Sequence, residues 1–202
     1  MLNTLLELES KEKGSTETTF SRAMFEIKFG DENKRPLEIF DDKMGNIEIS
    51  GKIDRVDISE VNGEKYGVII DYKYGKTEFR QEDIEEGVDL QLPIYALALR
   101  DVFKIIPVAA EFYALKTLKK TGILNHDIMK NPSIYLKIPK STLSVDEDKF
   151  NKLLTVTKEH IIRYAREICK GRIDLAPHNL DLCGEGRCDF ATVCRVDKWM
   201  VR

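Results

Sequence analysis

Between residues 20 and 75 apolar positions recur at every second residue, the period of half-buried strands. Phe25-Glu26-Ile27-Lys28-Phe29 alternates and predicts a strand. Gly30 to Pro36 reads as a charged turn, and Leu37-Glu38-Ile39-Phe40 as a short edge strand. Residues 46–57 predict one further strand, with Ile47, Ile49, Gly51 and Ile53 on one parity and Glu48, Ser50, Lys52 and Asp54 on the other. Asn62-Gly63 is the signal of a tight hairpin turn. Tyr66 to Tyr72 then reads as a buried strand antiparallel to the one before it.

Downstream the period lengthens. Residues 83–103 predict a helix with a delayed start, because Pro93 is tolerated only near a first turn. Val108 to Leu118 and Ser133 to Ile138 read as strands. Ser144 and Glu147 have the spacing of a capping box, which opens a long helix to about Lys170, ended by Gly171. The Leu- and Glu-rich residues 1–13 predict a short helix, broken at Gly14-Ser15-Thr16. The order strands, helix, strands, helix, irregular tail predicts an α/β (α+β) domain, a mixed central sheet flanked by helices with a cysteine-rich C-terminal tail.

Bulk properties narrow the picture. The 202 residues, 42% apolar and 33% charged, suit one sizeable domain with its own core. No apolar run approaches the roughly 20 residues of a membrane span, and the start Met1-Leu2-Asn3-Thr4 lacks the form of a signal peptide. A cytoplasmic location is expected. The net charge of −3 gives no overall basic field for nucleic acid, although a site built of carboxylates is acidic until its metal arrives. The basic run Lys116-Thr-Leu-Lys119-Lys120 reads as a solvated loop.

The candidate chemistry starts at Asp71 and Lys73. Two apart on one strand, they project from the same face. Asp54 lies on the neighbouring strand, close enough across the hairpin for two carboxylates to share one divalent ion. Mg2+ (or Mn2+) takes one or two carboxylates and leaves its other positions to water and phosphate. Lys73 would add positive charge beside the attacking water or the phosphate oxygens, and the Tyr72 backbone carbonyl is a further candidate ligand. The run Val68-Ile69-Ile70 marks a central strand, where charge at the carboxyl end is costly unless used. Without that setting, Asp-x-Lys reads as an ordinary polar hairpin. Gln91 and Tyr95, at i and i+4, share a helix face, and taken alone they read as a surface glutamine and a core-rim tyrosine.

Three of the four cysteines, Cys183, Cys188 and Cys194, fall within the last twenty residues. This clustering suits Fe–S or Zn2+ ligation, not a disulfide framework. Two candidates for a fourth ligand lie nearby. Cys169, beside Ala165 and Ile168, reads as a buried small hydrophobe; His178 would complete a Cys3His zinc site.

The segments Gly51-Lys-Ile-Asp54-Arg-Val-Asp57, Ile70-Asp71-Tyr72-Lys73 and Gln91-Leu-Pro-Ile-Tyr95, in this order, resemble the PD-(D/E)xK nucleases of the RecB type. The resemblance implies a restriction-endonuclease-like core in which Asp54 and Asp71 bind the metal, Lys73 is catalytic, and Gln91 and Tyr95 line the DNA side. The ending Gly171-Arg-Ile-Asp-Leu-Ala-Pro177 and Cys183 to Asp197, together with Glu26-Ile-Lys-Phe29-Gly30, is similar to the C-terminal nuclease domain of the AddB subunits of AddAB helicase–nucleases. Its cysteine tail, residues 178–197, then implies three ligands of a [4Fe–4S] cluster, with Cys183 and Cys188 spaced two residues wider than usual.

In that family a fourth cysteine and a first-motif histidine lie upstream. The resemblance therefore implies a single nuclease domain over residues 1–202 that is a piece of a larger subunit, a ligand short of its cluster and weak in activity on its own. It further implies a DNA exonuclease acting on a single strand in double-strand-break repair, with an AddA-like partner subunit. The chain has no Gly-x-x-x-x-Gly-Lys motif, so the ATP-driven motor is expected elsewhere. The alternatives are a stand-alone RecB-like nuclease of the CRISPR adaptation type, a non-catalytic DNA-binding or docking platform, and a zinc-stapled domain of unrelated function.

Overall fold

The computed structural model describes residues 18–75, 77–137 and 139–172. The chain divides into two compact units, Met1–Ile162 and Arg163–Arg202. The first unit is built on a six-stranded mixed sheet. In chain order the elements are β1 (Ser21–Phe29), β2 (Leu37–Asp41), β3 (Gly45–Ile49), β4 (Gly51–Val61), β5 (Glu64–Lys73), α1 (Gln81–Glu85), α2 (Gln91–Asp101), β6 (Ile106–Ala114), β7 (Lys119–Asn125), a short 3-10 turn (Ile128–Lys130), β8 (Thr142–Val145) and α3 (Glu147–Cys169). The sheet order is β1-β4-β5-β6-β7-β8, and β2 and β3 form a separate two-stranded sheet. β5 and β6 run parallel, as do β7 and β8; the other neighbours are antiparallel. The parallel β5–β6 pair requires a crossover, which α1 and α2 provide. The expected mixed sheet with flanking helices is present, and it is the restriction-endonuclease-like arrangement.

The sheet buries both faces. On one, Ile27, Ile53, Val56, Ile69 and Phe112 pack with Leu92, Leu97 and Leu99 of α2 and with Phe150 and Leu153 of α3. On the other, Val68, Ile70, Val108, Tyr113 and Leu124 pack with Phe20 and Ile134. Val68-Ile69-Ile70 supplies both cores because successive strand residues point to opposite faces. Gly67 lets α2 approach, since a Cβ there would meet Leu99 Cδ2 at 2.7 Å.

Several expectations change. Residues 46–57 are not one strand. They divide at Ser50, so β3 pairs with β2 while β4 pairs with β1 and β5. Alternation also slips inside β4: Ile53 and Val56, three apart, are both fully buried. Met24 and Ile27 make the same three-residue step on β1, where Glu26 takes φ +50°. Both strands thus bend at one level, next to Asp54.

The helix expected over 83–103 is two helices. Gly87, at φ +83°, ends the first as a left-handed cap, and its N–H donates to the Ile84 carbonyl. Pro93 is then the third residue of α2, a first-turn position that suits it. The strand expected at Ser133–Ile138 is absent from the described part of that stretch, where the Asn131 side chain accepts from the Ser133 N–H and folds the chain into a turn. Thr142–Val145 forms the strand instead, and β7, not anticipated, pairs with β6 and β8. The cap of α3 is Asp146, whose Oδ1 accepts from the Lys149 N–H at 2.8 Å; Ser144 belongs to β8. In the second unit, Glu167 pairs with Lys170 and Arg172 at the helix end. No helix among the described residues is long and apolar enough to cross a membrane. The expected helix at 1–13 lies outside the described residues.

Candidate active site

The amino-terminal part of β4 and the carboxyl end of β5, running antiparallel, meet at the site. Arg55 of β4 pairs with Ile70 of β5, which leaves Asp54 beside Asp71 one step further along. Asp54 Oδ2 accepts from the Tyr72 N–H at 3.0 Å, fixing the hairpin at this level. Asp71 is buried, and Lys73 Nζ lies 2.8 Å from its Oδ2. That contact is an ion pair, and no other donor meets the buried Oδ2. Burial pushes the Asp71 carboxyl above the usual carboxylate range; Lys73 opposes the rise, and the negative charges of Asp54 and Asp89 add to it.

Gln91, the first residue of α2, wires these groups together. Its Oε1 accepts from Lys73 Nζ at 2.7 Å, and its Nε2 donates to Asp71 Oδ1 at 2.8 Å and to the Tyr95 hydroxyl at 3.0 Å. The amide is therefore saturated by a cation on one end and a carboxylate on the other, which fixes its orientation. Tyr95 follows one turn later on the same helix face. Lys73 also stands 5.1 Å from the centre of the Phe112 ring, a cation–π contact that holds the ammonium over the sheet. The structure thus brings Asp54, Asp71, Tyr72, Lys73, Gln91 and Tyr95 into one neighbourhood.

Three neighbours were not foreseen. Asp89 Oδ1 accepts from the Gln91 N–H at 3.2 Å, from the residue before the Leu90 N-cap position of α2. An acidic residue two before the helix start was the available signal. Lys52 pairs with Glu26, and the charge of Asp54 also reaches its ammonium. Glu26, read as a surface strand glutamate, is exposed as expected, but it sits at the bend beside Asp54. On the opposite face of the sheet, Arg55 makes a two-pronged pair with Asp57, both bonds 2.6 Å, and donates to the Tyr72 hydroxyl at 3.0 Å. Burial works against the Arg55 charge, but Asp57 and Tyr72 outweigh it and hold its pKa above the ordinary value. This network clamps β5 from behind, on the strand that carries Asp71 and Lys73.

The donor set suits a hard divalent cation. Two carboxylates lie on adjacent strands, and one keeps a buried oxygen met only by the Lys73 ammonium. No group of three or more His, Cys, Asp or Glu side chains gathers among the described residues. A shell completed by water and backbone carbonyl is the pattern of Mg2+, not of Zn2+. Cys183, Cys188, Cys194 and His178 lie outside the described residues. Cys169 is exposed, not buried as expected, because the buried positions of α3 end at Ile161.

A family model described as the PD-(D/E)XK nuclease superfamily matches residues 1–195. Among relatives, the B subunit of an ATP-dependent helicase/deoxyribonuclease from Clostridium botulinum (strain Hall) is 30% identical over 188 residues, covering 91% of this chain and 16% of that protein. The proteins of the same name from Clostridium kluyveri (strain NBRC 12016) and Clostridioides difficile (strain 630) are 27% and 26% identical, covering 86% and 98% of this chain. They are covered over 19% and 21% of their own lengths, so the chain spans about a fifth of the relatives it matches.

Proposed function

The chain belongs to the PD-(D/E)XK nuclease superfamily, and on that premise we propose that it is the Mg2+-dependent deoxyribonuclease domain of a helicase–nuclease. It would hydrolyse phosphodiesters of single-stranded DNA during recombinational repair of double-strand breaks. The observation that carries this reading is the saturated Gln91 amide, which holds Lys73 and Asp71 together at the end of a central strand. A polar hairpin or a docking platform has no use for a buried carboxylate whose burial opposes its charge.

Asp54 and Asp71 would hold the ion, with the Tyr72 carbonyl as a further ligand. When bound, the ion lowers the pKa of a coordinated water and neutralises charge on the reacting phosphate. Lys73 stands where it can position the attacking water or stabilise a non-bridging oxygen, and Gln91 fixes its ammonium. Attack by water forms one P–O bond and breaks another, leaving a phosphate end and a hydroxyl end. Tyr95 supports Gln91 and faces the DNA side.

The names of the relatives support a DNA substrate and a helicase partner of the AddA type. Three soft thiolate donors within twelve residues suit a [4Fe–4S] cluster in the longer subunit, with Cys183, Cys188 and Cys194 as ligands. Iron with inorganic sulfide in anaerobically prepared protein supports that assignment, and zinc overturns it. The functional test is degradation of end-labelled single-stranded DNA in Mg2+, in EDTA, and by the Asp71→Ala variant. Cleavage confined to the wild type in Mg2+ is expected. Equal cleavage in EDTA or by the variant refutes the metal-ion reading.

A further inference from the structure

The basic run at Lys116, Lys119 and Lys120 is not a featureless solvated loop, because the sheet aims part of it at the catalytic centre. Lys73 of β5 pairs with Ala114 of β6, and Ala114 pairs with Lys119 of β7. Lys119 shares parity with Thr121 and Ile123, and Ile123 lies in the core formed with α2. Thr121 Oγ1 also accepts from the Phe79 N–H, in the loop that leads to α1. Phe112 and Ala114 share parity likewise, and the Phe112 ring lies under Lys73. Lys119 therefore rises from the same face of the sheet as Lys73, two strands away, with only the Ala114 methyl between them. At the usual strand spacing that is about 9.5 Å between backbones, and no carboxylate stands on this row.

The neighbouring turn extends the pattern. The Leu115 N–H donates to the Lys73 carbonyl at 2.8 Å, and the Lys116 N–H donates to the Tyr74 carbonyl at 3.2 Å. The β6–β7 turn is thus tied to the residues that directly follow Asp71 and Lys73. Tyr74 is 72% exposed, and Lys116 and Lys119 are exposed. In a chain of net charge −3 this gives a local cationic edge, with the exposed ring of Tyr74 one residue after Lys73. Spaced cations with an exposed aromatic ring fit single-stranded nucleic acid, whose phosphates need charge and whose bases stack on any π-face.

We propose that Lys119, Lys116 and Tyr74 form the strand-binding subsite next to the metal centre. Lys119 and Lys116 hold phosphates beside the scissile bond, and Tyr74 stacks on a base. This rests on the nuclease reading above. The test is binding of a labelled 20-nucleotide oligo-dT by fluorescence anisotropy in EDTA, where binding is read apart from cleavage. It uses the full chain and its Lys119→Glu, Lys119→Gln and Tyr74→Ala variants. Lys149→Glu, an exposed lysine on α3, is the control.

Lys119→Glu is expected to weaken binding about tenfold at 50 mM salt. Its slope of log affinity against log salt should fall by about 0.7, one single-strand phosphate contact. Lys119→Gln should show the same slope change with a smaller loss, and Tyr74→Ala a loss of about fivefold or more. Lys149→Glu should bind as the wild type does. Unchanged affinity and slope for both Lys119 variants overturn the subsite, as does equal weakening by Lys149→Glu, and so does a wild type with no affinity for the oligonucleotide. Binding that depends on Lys119 in a chain that cleaves nothing would instead refute the nuclease reading and leave the subsite standing.

Discussion

Gln91→Leu removes the three bonds that join the site while keeping helix propensity and volume close to the original. Lys73 loses a 2.7 Å partner, Asp71 loses a 2.8 Å donor, and the Tyr95 hydroxyl loses a 3.0 Å neighbour. Two of these bonds involve charged groups, each worth about 1.5–3 kcal/mol. Lys73 keeps its contacts to Asp71 and Phe112, so its loss is partial. The Asp71 carboxylate loses the bond that fixes its rotation. Outer partners of metal-binding carboxylates typically contribute 10–100-fold to affinity or activity, which is about 1.4–2.7 kcal/mol. The expected result is therefore Mn2+ affinity and Mg2+-dependent cleavage each reduced by roughly 10–100-fold, read by calorimetric titration and by single-stranded DNA degradation. Tyr95→Phe removes one neutral bond, about 1 kcal/mol, and should lower cleavage about fivefold. A Gln91→Leu protein with metal affinity and cleavage within about twofold of wild type would refute the reasoning, because an effect that small is an ordinary surface substitution's.

Further expectations concern stability. The fold raises the Asp71 pKa, so this carboxyl's contribution to metal-free stability is present below its unfolded value of about 3.9 and is lost as pH rises through the raised folded value. In EDTA at pH 7, Asp71→Asn should melt higher than wild type, while added Mg2+ should raise the melting temperature of wild type alone; a lower Asp71→Asn melt in EDTA would contradict this. Arg55→Met leaves Asp57 without its buried cation and should cost about 3–5 kcal/mol, a fall in melting temperature of roughly 6–20 °C. The Arg55→Met/Asp57→Leu double variant should recover part of that loss, and independent, additive effects would rule out the clamp. Gly122→Ala places a Cβ 2.1 Å from the Ala110 carbonyl oxygen, against backbone that has no room to move, and should cost about 3 kcal/mol. Gly75→Ala meets nothing within 4 Å and should melt within about two degrees of wild type, corresponding to less than about 0.5 kcal/mol.

The strand that carries Asp71 and Lys73 was legible because two signals agreed there. Val68-Ile69-Ile70 is apolar on both parities, and charges follow at once at Asp71 and Lys73. The i, i+4 spacing of Gln91 and Tyr95 gave their shared helix face, while their place beside Asp71 came from the family resemblance and their partners were not legible: a sequence shows which face a residue occupies, not which oxygen its amide reaches. The division of residues 46–57 was missed because the alternation runs on through Ser50 while the pairing partner changes from β2 to β1. β7 was missed because it opens with Lys119-Lys120 and contains Gly122, both poor strand signals, and is held by neighbours on each side. The break before α2 rested on Gly87, whose left-handed conformation outweighed the helical period around it. Asp89 and Glu26 approach the centre through a turn and a strand bend, and neither has a sequence period.

The central claim is that this fold is an enzyme and not a platform, and Lys73 separates the two most directly. Lys73→Ala removes the ammonium beside Asp71 and leaves Asp54 and Asp71 in place. Cleavage of single-stranded DNA in Mg2+ should fall by roughly a hundredfold or more, the scale of losing one charge-stabilising donor. Affinity for the same DNA in EDTA should stay within about threefold, because one of several cations is lost. Wild-type cleavage by the Lys73→Ala protein would contradict the assignment of the reaction to this centre.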